Sequence, residues 1–425
     1  MRILAFILLL TLPAVARGQV NPCDYGAIPN DGRDDSRAFA SAFQEAIRSS
    51  QDVRIPEGVF DLKPVVHYVH GRLHIIGAGI GKTKLRRMEN RSWTQRFRCQ
   101  SGAELRFEGF TLDGNGSSLK EAEGDDQHHE IRIDQIGKTK MQSVALQSIG
   151  VYDLVADGFQ FVHNGLQQVT VHSFENLGGG KGRRDLQFSY HPKSAFVEHS
   201  TFRDFSTEPA GGTKNRVNLT IQDCTITGSC NLQECGDLRA RRLKINRLSS
   251  LTCDSGLAEQ LSVASAGTIV GPSCIVIRDS RFEEPLKFWA RFNRHEQDVT
   301  FERCAFAVKV GEGSVFSTIH PAAGESPEAK FAFLHCTFPA PLQLGNGYQF
   351  RVEDCNFTGD VGISVSARFG PSGSLAESGN TWAKTSIALQ QVSSGHPFEL
   401  NIEPETLKRL VGKGDYYPLS ITDEE

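Results

Sequence analysis

Acidic, basic and imidazole side chains are concentrated between residues 113 and 191 of the 425-residue sequence. This stretch contains five of the 13 histidines, and His199 lies just beyond it. Side chains of these types can transfer protons, bind carboxylates or hold a cation. The members of this group are Asp113, Asp125, Asp126, His128, His129, Glu130, Asp153, Asp157, His163, Asn164, Arg183, Arg184, Asp185 and His191.

Asp157 and Asp185 are candidates for a catalytic pair of carboxylates. If neighbouring turns of the chain are about 28 residues long here, the two residues occupy equivalent positions, roughly one or two strand spacings of about 4.8 Å apart. Two carboxylates at such a distance can divide the acid and base roles in breaking a glycosidic bond. The alternative is that Asp157-Gly158 forms an ordinary turn.

His129 is the third candidate catalytic residue, because an imidazole can remove a carbon-bound proton in an elimination reaction. In that reaction Arg183, Arg184 or Lys193 would neutralise a substrate carboxylate, and Asp125 with Asp126 could hold a Ca²⁺ ion. The candidate substrate-binding residues are Arg183, Arg184, Asp153, His163, Asn164 and His191. The alternatives are a structural histidine, an arginine-bearing rim that does no chemistry, and solvated loop carboxylates.

A recurrent motif of two apolar residues, a small residue and an aromatic or aliphatic residue predicts the elements that position these side chains. One copy is Val299, Phe301, Cys304 and Phe306. The small residues of the copies occupy positions 200, 224, 280, 304, 336 and 355. Each copy predicts a strand with alternating side chains, followed by a turn that shifts the phase by one residue. Repeats of this length without long helices between them favour an all-β solenoid, in which stacked turns share one core.

The same motif predicts the state of most cysteines. Cys224, Cys304, Cys336 and Cys355 occupy its small-residue position, where serine replaces cysteine in other copies. Since serine cannot form a disulfide, these thiols are expected to be free and buried as small apolar groups. Three cysteines outside the motif are the better disulfide candidates, namely Cys230, Cys235 and Cys253.

The two ends of the chain differ in pattern from the repeat. Met1-Arg2, an apolar run and Ala14-Val15-Ala16 have the form of a signal peptide. Phe39, Phe43 and Ile47 recur at four-residue spacing after Asp34-Asp35-Ser36, which predicts a short helix that caps the first turn. The predicted organisation is a signal peptide over 1–18, a cap with the first turn over 19–60, a parallel β-helix over 61–390 and a C-terminal extension over 391–425. The protein is therefore expected to be secreted or periplasmic, without a membrane span.

The N-terminal stretch resembles the opening signature of the pectate lyase superfamily, which includes polygalacturonases and many phage tailspikes. The residues that carry the resemblance are Asp24-Tyr25-Gly26-Ala27, Asp31-Gly32-Arg33-Asp34-Asp35-Ser36, Ala38 to Ile47 and Val53 to Phe60. The likeness is close over about forty residues. It implies a right-handed parallel β-helix whose groove holds an extended, often acidic, sugar chain.

Part of the candidate site is also similar to polygalacturonases. Ala156 to Phe161 is similar to the Asp-Gly segment that carries one of their catalytic aspartates, and Asp185 lies about where they place a paired aspartate. Their His-Gly and Arg-x-Lys elements have no counterpart, since the corresponding stretch contains Glu208-Pro209-Ala210. Hydrolysis and elimination therefore both stay open, and so does a non-catalytic glycan-binding or surface-structural role.

Charge and composition exclude some other classes. The net charge is −4 and no block of basic residues stands out, so a nucleic-acid partner is not expected. Gly77 to Thr83 is reminiscent of a phosphate-binding loop, but position 76 is Ile where that motif requires glycine. The sequence thus predicts a secreted protein whose partner is a polysaccharide, with enzymatic cleavage as the leading hypothesis.

Overall fold

The computed structural model describes residues 18–89, 93–119, 129–136, 140–155, 157–163, 165–179, 184–207, 216–270, 274–289, 297–307, 316–319, 329–345, 348–366, 373–390 and 398–412. Within these residues the fold is mostly β, and every strand pairing is parallel. The helices are a 3-10 helix over Pro22–Tyr25, α1 over Ser36–Ser49 and α2 over Pro404–Leu407.

The strands run almost continuously along the described chain. In chain order they are β1 Gln19–Val20, β2 Asp52–Arg54, β3 Gly58–Leu62, β4 Val65–Val69, β5 Arg72–Ile76, β6 Thr83–Arg87, β7 Trp93–Cys99, β8 Glu104–Asp113, β9 His129–Gln135, β10 Ser143–Tyr152, β11 Asp157–Val162, β12 Gln168–Asn176, β13 Leu186–Phe188, β14 Ser194–Glu198, β15 Thr201–Phe202, β16 Phe205–Ser206, β17 Val217–Gln222, β18 Thr225–Arg241, β19 Lys244–Glu259, β20 Ser262–Val270, β21 Cys274–Arg278, β22 Arg281–Phe282, β23 Leu286–Trp289, β24 Gln297–Glu302, β25 Ala305–Phe306, β26 Phe316–Ile319, β27 Ala329–Leu334, β28 Thr337–Phe338, β29 Leu342–Gly345, β30 Tyr348–Glu353, β31 Asn356–Phe357, β32 Val361–Ser366, β33 Gly373–Ser378, β34 Thr381–Trp382, β35 Thr385–Gln390, β36 Phe398–Asn401 and β37 Val411–Gly412.

The pairings fall into three parallel rows. Row A runs through β5, the first half of β8 and β10, β12, β14 and β17. Row B runs through β6, the second half of β8 and β10, and later β22, β25, β28, β31 and β34. Row C runs through β4, β7, β9, β11 and β13. Since the chain visits A, B and C in turn, each row places residues from successive turns side by side.

At each predicted change of phase, one residue has a left-handed backbone conformation. Positive φ angles near 50° occur directly before all six small residues, at His199, Asp223, Asp279, Arg303, His335 and Asp354. Each N–H at these corners is used, as in the bond from Asp223 to the carbonyl of Arg241. Such a residue reverses the alternation, so the side chains before and after the corner both point inward.

The core contains a continuous line of stacked aromatic rings in row B. Phe282, Phe306, Phe338, Phe357 and Trp382 are all buried. Their successive ring centroids are 5.4, 5.0, 4.9 and 4.3 Å apart. Four of these residues, Phe282, Phe306, Phe338 and Phe357, lie two places after the small position of the motif, and Trp382 continues the line opposite Phe357.

The small-residue position forms a buried row, as predicted. Cys224, Cys304, Cys336 and Cys355 are at most 2 % exposed, and all are free thiols. Cys230, Cys235 and Cys253, the disulfide candidates, are buried free thiols as well, so no disulfide joins them in this structure. Burial raises the pKa of the Cys235 thiol to about 12, which leaves it unreactive.

Helix α1 forms where the sequence predicts it and packs on the first strands. Its buried face consists of Ser36, Ala38, Phe39, Ala42, Phe43 and Ala46. Phe39 packs edge-on against Phe60 of β3. At the other end, the Trp382 indole donates to Thr406 of α2 at 3.2 Å. No helix in the described part of the chain is long and apolar enough to span a bilayer.

The glycine-rich segment before β6 is a hydrogen-bonded turn between strands and not a phosphate loop. Gly79 donates its N–H to the carbonyl of Gly109, and Gly81 donates to the Thr111 hydroxyl at 2.9 Å. The Ala78 amide likewise donates to Thr83 Oγ1. These three amides are therefore directed at the protein itself.

His67 is a buried imidazole that makes the fold sensitive to acid. Its ring lies between Phe43 and Phe97, and its Nε2 is 2.6 Å from Gln95 Oε1. Burial lowers its pKa to about 4, from an ordinary value of 6.5. Because the unfolded chain binds the proton more tightly, stability is lost as the pH falls below about 6.5, by about 3 kcal/mol at full effect.

We expect the His67→Gln variant to show a shallower decline of melting temperature between pH 7 and pH 4 than the parent protein. His172→Gln is the matched control, since the His172 side chain is 46 % exposed. Melting curves at a series of pH values test this. Equal slopes in the parent and His67→Gln would contradict it.

Candidate functional site

The candidate site lies at one corner of the stack, where the chain passes from row B to row C. Successive turns contribute the ends of β6, β8, β10 and β12 and the starts of β7, β9, β11 and β13. Because the turns stack in register, groups from different turns come within contact distance along this corner.

His129 and Asp157 are brought together by the pairing of β9 with β11. The two residues are direct partners in the parallel register, and His129 Nδ1 is 3.5 Å from Asp157 Oδ2. His129 is 1 % exposed and Asp157 is 6 % exposed. Neither ring nitrogen of His129 has a hydrogen-bond partner among the described residues. A buried imidazole left in this state is costly, by about 1–3 kcal/mol for a polar group without a partner.

Asp157 is held from the following turn by Gln187. In the amide orientation that gives both the nitrogen and the oxygen a hydrogen-bond partner, the Gln187 nitrogen donates to Asp157 Oδ2 at 3.1 Å. The Gln187 oxygen then accepts a hydrogen bond from the Arg184 guanidinium. The carboxylate of Asp157 thus lies between an imidazole of one turn and an amide of the next.

Asp185 is fully buried and has a different set of partners. Its two oxygens accept from the Asn176 amide at 2.8 and 2.9 Å, and Oδ2 also accepts from the backbone N–H of Arg203. Burial raises the pKa of Asp185 to about 6, although these hydrogen bonds oppose the shift. A carboxyl group with this pKa can be protonated near neutral pH and donate a proton.

The predicted equivalence of Asp157 and Asp185 is wrong by one residue. β11 pairs with β13 at an offset of 27, with Phe159 opposite Leu186, and the Gly158 N–H donates to the Arg184 carbonyl. Asp185 therefore lies opposite Gly158, and Asp157 lies opposite Arg184. A shift of one residue reverses the direction of a side chain, which explains why the two carboxylates have separate partners.

The other candidate site residues that the structure describes form hydrogen bonds within the protein. Asp153 has a left-handed backbone and accepts from the N–H and the hydroxyl of Ser117. His163 is buried, and burial lowers its pKa to about 4, with its Nδ1 accepting from the Gly165 N–H. His191 Nε2 is 2.6 Å from the Thr207 carbonyl. Arg183 and Asn164 lie outside the described residues, as do His128, Asp125 and Asp126.

The outward side of row C carries a cationic and aromatic surface that the sequence analysis did not identify. The Arg98 guanidinium lies 5.7 Å from the Tyr68 ring centre, and Arg96 lies 4.6 Å from the Trp93 ring centre. Arg96 also pairs with Asp134, while Arg98 Nε has no hydrogen-bond partner in the described chain. The alternation of arginines with buried Phe97 and Cys99 is the signal that could have placed them outward.

A buried ion pair adjoins His129 on the same corner. Arg87 Nη1 lies 3.0 Å from Glu130 Oε1, and both side chains are at most 3 % exposed. The Thr94 hydroxyl donates to the other Glu130 oxygen at 2.7 Å. Because both charges are paired and hydrogen-bonded, this arrangement fixes the start of β9, and with it the position of His129.

A metal ion has no evident ligand set in the described residues. No three His, Cys, Asp or Glu side chains there are arranged to hold one. Asp125 and Asp126, which the sequence offered as ligands for Ca²⁺, fall outside that part of the chain. The Ca²⁺ prediction therefore stays a prediction.

The fold consists of parallel rows of stacked strands, and this corner is a buried polar site beside a row of half-buried arginines. No family model matches the sequence, and no curated protein matches it. Similar solved structures include the A-module of the mannuronan C-5 epimerase AlgE4 of Azotobacter vinelandii, at 12 % identity over 93 % of this chain and 100 % of that chain, with a TM-score of 0.37.

Two further structures are similar over most of the chain. An exopolygalacturonase from Thermotoga maritima has 11 % identity over 86 % of this chain and 91 % of that chain, with a TM-score of 0.36. PfbA, a surface adhesin of Streptococcus pneumoniae, has 12 % identity over 90 % of this chain and 93 % of that chain, with a TM-score of 0.43. At such identities the likeness concerns the fold alone.

Asp185 gives the protein a stability that depends on pH in the opposite sense to His67. Its folded pKa is raised, so its contribution is fully present below the ordinary value of 3.8 and is lost as the pH rises through about 6. The expected loss at pH 8 is about 3 kcal/mol. In Asp185→Asn this decline should be absent, whatever the absolute stability of the variant.

Urea unfolding of the parent and Asp185→Asn at pH values from 4 to 8 measures the effect. Asp360→Asn is the control, because the Asp360 side chain is 81 % exposed. A decline of the same size in Asp185→Asn and the parent would contradict the assignment to Asp185.

Proposed function

We propose that this chain is an exported, right-handed parallel β-helix, capped by α1, that cleaves glycosidic bonds in an acidic polysaccharide. The observation that supports this most is the buried His129–Asp157 pair, in which neither imidazole nitrogen has a hydrogen-bond partner among the described residues. A structural histidine is normally satisfied, whereas catalytic groups are often retained at a cost to stability. We take the chain to wind in a right-handed sense because connections between parallel strands of one sheet are almost always right-handed.

The residues of the corner have complementary roles in this proposal. Asp157, oriented by Gln187, holds the His129 imidazole so that its other nitrogen can exchange a proton with the sugar. Asp185 is the group with a pKa of about 6 and supplies the proton to the leaving oxygen in a hydrolytic route. Arg98, with Tyr68 beside it, pairs with a sugar carboxylate on the face of row C.

The experiment that tests the proposal is an activity screen of the full chain on polygalacturonate, alginate and dextran, with and without Ca²⁺. New reducing ends report cleavage, and ultraviolet absorbance of an unsaturated product separates elimination from hydrolysis. Reducing ends with absorbance indicate β-elimination, and reducing ends alone indicate hydrolysis. The absence of cleavage on all of them, in a protein that unfolds cooperatively, would contradict the proposal.

A non-catalytic glycan-binding role is the second candidate. The burial of Asp157, Asp185 and His129 favours it, because none of these residues is more than 6 % exposed. It also matches the missing His-Gly and Arg-x-Lys elements. Retention of an acidic polysaccharide on affinity electrophoresis without any cleavage would favour this candidate over the enzyme.

A further inference from the structure

An exposed apolar patch lies on row B, directly beside the candidate site. Tyr152 and Leu177 are each 42 % exposed, at the ends of β10 and β12. The Leu177 N–H donates to the Val151 carbonyl at 2.8 Å, so the two side chains lie on adjacent turns. Contiguous exposed apolar side chains can mark a ligand-binding surface.

The patch is shaped by a glycine beneath it. A Cβ atom at Gly150 would lie 3.0 Å from Ile80 Cγ2 and 3.0 Å from Leu177 Cδ1. Ile80 and Leu177 therefore lie over Gly150, where a larger residue would crowd both side chains and the Thr111 hydroxyl. This leaves the Tyr152 ring at the border of a surface formed by aliphatic side chains.

The patch is continuous with the candidate site through the backbone. Leu177 follows Asn176, whose amide holds both oxygens of Asp185. Tyr152 precedes Asp153, whose N–H donates to the Gly178 carbonyl. Tyr152 is also the direct register partner of Asp113, so a carboxylate lies one strand away from the ring.

We propose that Tyr152 and Leu177 form a sugar-stacking subsite, on row B and not on the cationic face of row C, for a pyranose unit of the polysaccharide. The inference rests on the proposed function, which supplies the polysaccharide. The C–H face of a pyranose ring is apolar and packs by dispersion on an aromatic face, while the hydroxyls at its edge need acceptors. Asp113 provides an acceptor there, so the unit bound at this position presents hydroxyl groups to it.

Binding by calorimetry to polygalacturonate and alginate oligosaccharides tests the subsite. Measurements use the full chain carrying Asp157→Asn, so that turnover does not consume the probe. We expect Tyr152→Ala to weaken binding about tenfold, since about 1.4 kcal/mol of contact is lost. Tyr152→Phe keeps the ring and should bind within about twofold of its parent.

Tyr25→Ala is the matched control, because Tyr25 is 41 % exposed and belongs to the N-terminal 3-10 helix. Its affinity should equal that of the parent. Unchanged binding in Tyr152→Ala, or an equal loss in Tyr25→Ala, overturns the subsite while leaving the proposed function intact. A parent protein that binds neither oligosaccharide overturns the proposed function and the subsite together.

Discussion

Asp157→Asn is expected to reduce the rate of polysaccharide cleavage about a thousandfold, within the range of general acid–base catalysis. The asparagine side chain has the same shape and can still accept from Gln187, but it carries no charge to stabilise a protonated His129. A protonated imidazole then has no negative charge beside it, and the step that needs the proton slows. The effect should fall on kcat, with KM changed only a few-fold. Initial rates of reducing-end formation measure it.

The double variant of His129 and Asp157 distinguishes a catalytic pair from two independent residues. If His129→Gln and Asp157→Asn act on the same proton transfer, the double variant is about as slow as either single variant. Losses that multiply would contradict the pair. Asp360→Asn again serves as control and should keep the parent rate. A full rate in Asp157→Asn together with a loss in Asp185→Asn would move the catalytic role to Asp185.

The sequence predicted the repeating parts of this fold because they depend on local alternation. Phe301 and Cys304 lie on opposite sides of a corner residue, and their spacing alone requires the phase change that the left-handed Arg303 provides. The helix α1 was predicted by the same kind of local pattern, from apolar residues at four-residue spacing. The stacked thiols followed from serine taking the same place in other copies.

The candidate site was predicted only in part, because the number of residues that separates paired positions on neighbouring turns does not follow from the local sequence. Leu105 pairs with Val144 at an offset of 39, whereas Cys235 pairs with Cys253 at an offset of 18. Loops of different length at the corners set these offsets, and a single assumed value placed Asp185 opposite the wrong residue. The contact of His129 with Asp157 depends on such an offset. The contact of Arg98 with Tyr68 does so too, which is why the cationic face was missed.

Phe338→Ala is expected to lower the stability of the C-terminal turns by about 3–5 kcal/mol, the range for removing a large buried aromatic side chain. Phe338 is 0 % exposed and lies between Phe306 and Phe357, with ring centroids 5.0 and 4.9 Å away. Its removal deprives both neighbours of a stacking partner, takes away the edge-on contact with Phe333 at 5.6 Å, and leaves a cavity inside the line of rings.

The loss of stability should also be local. Each described strand of row B pairs with its neighbours in that row, and stability is then close to a sum over neighbouring turns. Amide exchange should therefore accelerate in β28 and β31 while β7 and β9 keep their protection. Thr337→Ala is the control, since Thr337 is exposed on the same short strand and should cost less than about 0.5 kcal/mol. Uniform acceleration along the whole chain would instead show that the rows unfold as one cooperative unit.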